Sequence, residues 1–102
     1  MSINVGKYLF EGPYASTDKL EDKSGVYAIH CYRENKYYLI DIGESAKVKE
    51  RVDNHEREDC WKKNYSGTLT VSVLYTPNLQ QAGRMEIEQE IRKQYNPPCG
   101  EK

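Results

Sequence analysis

No apolar run in this sequence of 102 residues approaches the roughly 18 that a membrane-spanning helix needs. The N-terminus has neither the basic segment nor the apolar stretch of a signal peptide. These two absences predict a protein with no membrane association, soluble and cytoplasmic. Cysteine is scarce: Cys31, Cys60 and Cys99 are an odd number at wide spacings, with no CxxC pair. That pattern predicts no disulfide framework, and His30 and His55 add no spacing that would complete a zinc site. Excess charge of one sign is missing as well. Fifteen Lys and Arg against sixteen Asp and Glu give a net charge of −1, whereas a dedicated nucleic-acid binder usually carries a basic surplus. Any nucleic-acid affinity is therefore expected to be local and modest. The length itself leaves no room for two full domains.

Phenylalanine occurs once, but tyrosine nine times. Tyrosine supplies apolar bulk with a hydroxyl at its tip, which suits a half-wet core or a surface that handles polar ligands. Residues 1–24 read as an arm: Val5, Tyr8, Leu9 and Phe10 make a possible edge strand, followed by Gly12-Pro13 and a charged stretch. A domain over 25–102 follows. Gly25 to Cys31 and Tyr37 to Gly43 read as two strands of a hairpin around the polar turn Arg33–Lys36. Ser45 stands at an N-cap position, and Val48 and Val52 at helical spacing predict a helix from Ala46 to His55. Glu56 to Gly67 reads as a helical turn and a loop. The alternation of Leu69, Val71, Val73 and Tyr75 predicts a third strand. A last helix opens near Pro77-Asn78, with Gln81 in capping-box position, and closes at Pro97-Pro98. The expected fold is α+β: a small three-stranded antiparallel sheet flanked by helices, with an extra N-terminal strand.

At helical spacing, Leu79, Met85, Ile91 and Tyr95 form an apolar stripe on the last helix, and Glu88 falls within it. Glu86 and Glu90 face the other way. A carboxylate among apolar neighbours costs several kcal/mol unless it is paired, protonated or holding a metal, so Glu88 is either a structural ion pair or a functional group. Arg51 and His55 lie one turn apart on the first helix, bordering its apolar stripe. A guanidinium matches phosphate oxygens, and an imidazole can donate, accept or shuttle a proton.

These residues resemble the GIY-YIG nucleases, a family that includes homing endonucleases and the incision domain of bacterial nucleotide excision repair. Gly25-Val26-Tyr27 looks like the first motif, and Asp41-Ile42-Gly43 stands where the second belongs. Arg51 with His55 is similar to the family's Arg-x-x-x-His, and Glu88 with Ile91, Tyr95 and Pro97-Pro98 resembles its glutamate helix and exit. The resemblance covers roughly residues 24–100 and implies metal-dependent cleavage of a nucleic-acid phosphodiester. It implies that Glu88 binds one divalent cation, Mg²⁺ or Mn²⁺, that Arg51 stabilises negative charge on phosphorus, and that Tyr27 orients the attacking water. Two departures stand out: Asp41 replaces the second-motif tyrosine, and Gly100 the usual asparagine. Asp41 is expected to join Glu88 in a two-carboxylate metal site, with Tyr27, Asp41, Arg51, His55 and Glu88 as the site residues.

Between Glu44 and Lys63 six positive charges meet six negative ones, as on a solvated helix surface. Trp61 and Tyr65 beside Lys62 and Lys63 read either as a stacking surface for an unpaired base or as cover for the core. The expected function is a metal-dependent endonuclease of modest intrinsic affinity, acting on DNA rather than RNA, and either on branched or single-stranded substrates or with a protein partner that delivers the DNA. A catalytically degenerate binding module on the same fold is the alternative, and a protein-binding regulatory domain a third reading.

Overall fold

The structure, a computed structural model, describes residues 1–100; the last two residues of the expected 25–102 domain lie outside the described residues. Two long strands, β3 (Gly25–Arg33) and β4 (Lys36–Ser45), form the longer hairpin. Their β-branched and aromatic residues favour extended backbone. Glu34 and Asn35 join them, both at positive φ (53° and 62°), as a tight two-residue hairpin turn requires. Strand β5 (Thr68–Tyr75) lies on the other side of β3, antiparallel to it.

The sheet has five strands rather than three. The expected arm supplies two of them, β1 (Ser2–Val5) and β2 (Tyr8–Tyr14), and β2 pairs with β5 to give the order β1-β2-β5-β3-β4. Every pairing is antiparallel. Sequence pattern alone shows one apolar run there, because Gly6-Lys7 turns the chain inside it.

Helices cover both faces. α1 (Val48–Asp53) and α2 (Glu58–Lys63) lie over one, where Leu20, Tyr27, Ile29, Ile40, Val48, Val52, Trp61 and Val73 share a core. α3 (Gln81–Tyr95) lies over the other, burying Ile87 and Ile91 against Phe10, Val26, Ala28 and Ile42. α1 is shorter than expected, and His55 stands just beyond it. α3 begins at Gln81 without the expected Asn78 capping box.

Asn96 ends α3 in the left-handed conformation (φ 47°), its N–H bonded to the Arg92 carbonyl. The chain then turns back across β4, where the Cys99 N–H donates to the Ile40 carbonyl (3.0 Å). Cys99 forms a disulfide with Cys60 of α2, against expectation, and leaves Cys31 as a buried free thiol. Sequence spacing hides this pair because the two cysteines are 39 residues apart and meet only through the fold. Such bonds are uncommon in a reducing cytosol. No helix among the described residues is long and apolar enough to cross a membrane.

Candidate active site

The β3–β4 pairing carries one irregularity that shapes everything near it. Ile29 faces Asp41, but the next residue, His30, faces Leu39, so Ile40 is a bulged residue on β4. A bulge breaks the alternation of side chains. Ile40 and Asp41 consequently point to the same face, with Tyr27 and Ile29 as neighbours, and Asp41 sits at 0% exposure. Its carboxylate is filled by donors. Oδ2 accepts from Arg57 Nε (2.8 Å) and Trp61 Nε1 (2.7 Å). Oδ1 accepts from Arg92 Nη2 (3.0 Å), the Ile42 N–H (2.8 Å) and, more weakly, Arg57 Nη2 (3.3 Å).

That environment weighs against a metal ion at Asp41 in the expected two-carboxylate site. Two carboxylate oxygens offer about four lone-pair positions, and five donors occupy those of Asp41. A cation would have to displace a buried arginine. Asp41 is thus the anchor of an Arg57–Trp61–Arg92 cluster. Trp61, at 4% exposure, covers the core and holds this carboxylate, so it offers no open face to a base.

The other predicted residues do meet. A cleft of about 190 Å³ at the β4 edge is lined by Tyr27, Gly43, Arg51, Arg57, Glu88 and Arg92, among others. Tyr27 lies flat across Gly43: a Cβ at that position would stand 2.9 Å from Tyr27 Cε2 and closer still to its hydroxyl. Glycine is required there so that the phenol can reach the cleft.

His55 holds Tyr27 from behind, with Nε2 2.5 Å from the hydroxyl. Its other nitrogen, Nδ1, accepts from the Arg57 backbone N–H (3.0 Å). Burial, then the positive charges of Arg57 and Arg51, lower the His55 pKa to about 4, so the ring is neutral at physiological pH. With Nδ1 an acceptor, the single proton of the neutral ring resides on Nε2 and is donated to the Tyr27 oxygen. The phenol proton is left to be given elsewhere. Burial also pushes the Tyr27 pKa up to about 12, which keeps that proton in place near neutrality.

Glu88 lies within the buried arc of α3, between Arg84 and Arg92, but that arc is not the apolar stripe expected around it. The residues that α3 buries are Arg84, Ile87, Ile91 and Arg92, whereas Leu79, Met85 and Tyr95 are exposed. Its side chain is 17% exposed, and Oε2 receives Arg92 Nε at 3.4 Å. Burial raises its pKa against the opposing pull of Arg92. Oε1 accepts no hydrogen bond among the described residues. One open carboxylate oxygen suits a hard cation such as Mg²⁺, which keeps several waters and takes one or two protein carboxylates. No group of three or more His, Cys, Asp or Glu side chains that could cage a metal exists among the described residues. Glu86 and Glu90 stay outside the cleft, and Glu90 accepts the Tyr8 hydroxyl instead (3.1 Å).

Arg51 enters the cleft already paired, both Nη atoms donating to the Glu56 carboxylate (2.5 and 2.8 Å). Sequence reasoning missed Arg57 and Arg92 as site residues, because each is placed by Asp41 across long chain separations.

No family model, curated protein or solved structure matches this chain.

Proposed function

We propose that the chain is a divalent-metal-dependent endonuclease of the GIY-YIG type, with the active site in the cleft at the β4 edge. One observation carries the reading: Tyr27, Gly43, Arg51 and Glu88, from four separate segments, line a single cleft, and His55 orients the tyrosine. A cation, Mg²⁺ or Mn²⁺, held by Glu88 would polarise the phosphoryl oxygens and stabilise charge on the leaving oxygen. Tyr27 donates a hydrogen bond from its hydroxyl to a water or phosphate oxygen in the cleft, aligned by the His55 Nε2–H behind it. Arg51 exchanges part of its Glu56 pairing for phosphate oxygens as negative charge builds there. Asp41 takes no part as a ligand.

Supercoiled plasmid and branched DNA incubated with the protein in Mg²⁺, Mn²⁺ or EDTA test the proposal, alongside Glu88→Ala. Metal-dependent cleavage that disappears in the variant is the expected result. The absence of cleavage on every substrate by folded protein overturns it. A second reading, a binding module without cleavage, draws on Asp41: where the family has a second phenol, this chain has a carboxylate engaged by five donors. Salt-dependent DNA binding without cleavage is its signature.

A further inference from the structure

Three guanidinium groups line the cleft, and their hydrogen bonds set them apart. Arg92 is fully committed: Nη1 to the Cys99 carbonyl (2.9 Å), Nη2 to Asp41 and the Ile42 carbonyl, Nε to Glu88. Arg51 is closed by its two-pronged contact with Glu56. Arg57 differs from both. Asp41 grips its Nε and Nη2, its Nη1 has no partner among the described residues, and its side chain is 24% exposed. A guanidinium clamped along one edge and open along the other is preorganised for a phosphate oxygen, because its rotamer entropy is already lost before the ligand arrives.

The charges agree. Asp41 and Glu88 balance Arg57 and Arg92, Glu56 balances Arg51, and Arg84 balances the cleft-lining Glu44, so the cleft is close to neutral. A phosphodiester gains from Arg57 there without first separating it from its counterion, since Asp41 binds the opposite edge.

We infer that Arg57 is the cleft's principal phosphate-binding residue and that Asp41 is the positioning residue that aims it, the task this chain gives to its altered second motif. This rests on the nuclease reading above and assigns the substrate's scissile-side phosphate to a residue outside the motif set.

The test measures binding of a fluorescent branched DNA in EDTA, over a range of salt, for wild type, Arg57→Gln, Arg57→Lys, Asp41→Asn and the exposed control Lys36→Gln. Each phosphate contact contributes about 0.7–0.9 to the slope of log affinity against log salt. Arg57→Gln is expected to lower the slope by about one contact and weaken binding about fivefold to tenfold. Arg57→Lys restores the slope but only part of the affinity, and Lys36→Gln matches wild type. Asp41→Asn is expected to lose the same contact although Arg57 remains. Independently of any variant, ¹⁵N relaxation of the Arg57 Nε–H in the wild-type protein reads the clamp: order close to that of the backbone is expected. A freely reorienting guanidinium overturns the role of Asp41, and an unchanged slope in Arg57→Gln overturns that of Arg57. Wild-type protein that shows no salt-dependent binding overturns the nuclease reading itself, and this inference with it.

Discussion

At one edge of the sheet, β1 presents four residues, two of them exposed, and its inner side pairs only with β2. At the other, β4 runs for ten residues and two of its outward carbonyls are taken, Ile40 by the Cys99 N–H and Ile42 by Arg92. Exposed edges invite pairing with other chains, and proteins limit this by shortening an edge or covering it. Here each edge uses one of those solutions. The covering groups at β4 also build the cleft, since Arg92 that caps the edge holds Asp41 and Glu88 as well. Stability and site geometry are therefore coupled at β4 and separate at β1.

Removing the anchor breaks that coupling most severely. Asp41→Ala leaves Arg57 without its counterion and the buried Arg92 with Glu88 alone, and a loss of about 3–5 kcal/mol is expected in urea unfolding. Reducing the Cys60–Cys99 bond, or Cys99→Ser, is expected to cost about 2–4 kcal/mol for a loop of 39 residues, with faster amide exchange along β4 and none of that change along β1. Gly43→Ala drives a methyl group into the Tyr27 ring and is expected to cost about 1–3 kcal/mol, with a shifted His55 imidazole resonance.

Acid acts more gradually. His55 and His30 each have a folded pKa lowered to about 4 by burial, so the unfolded chain binds more protons below pH 6.5. Stability is present above that pH and is lost as pH falls from about 6.5 towards 4. About 1–2 kcal/mol per histidine is expected between pH 7 and 5, and His30→Gln and His55→Gln should each reduce the slope of a stability–pH curve. On the β1 side, Tyr8→Phe removes the exposed bond to Glu90 and is expected to cost no more than about 0.5 kcal/mol by thermal melting. A loss comparable to that of Gly43→Ala would dissolve the contrast between the edges.

Residues fixed by local pattern were legible in the sequence. Tyr27 follows a glycine at the start of an apolar strand, Arg51 and His55 are one turn apart, and Glu88 belongs to a helix closed by two prolines; these share one neighbourhood in the structure. Asp41 was not legible, because its direction depends on the bulge at Ile40, and nothing in the unbroken apolar run Tyr37–Ile40 marks where the strand takes one extra residue. Arg57 and Arg92 inherit that obscurity, since their roles follow from Asp41. The β1–β2 hairpin was missed for a related reason: its strands are short, and β2 finds its partner, β5, about sixty residues later.

The Cys60–Cys99 bond also closes a covalent ring around β5 and α3. A protease that cuts once in the exposed segment 64–67, or once in 77–80, would open the ring without dividing the molecule. The nicked protein would migrate as one chain on a non-reducing gel and as two after thiol treatment, so an apparently intact band can conceal a broken backbone.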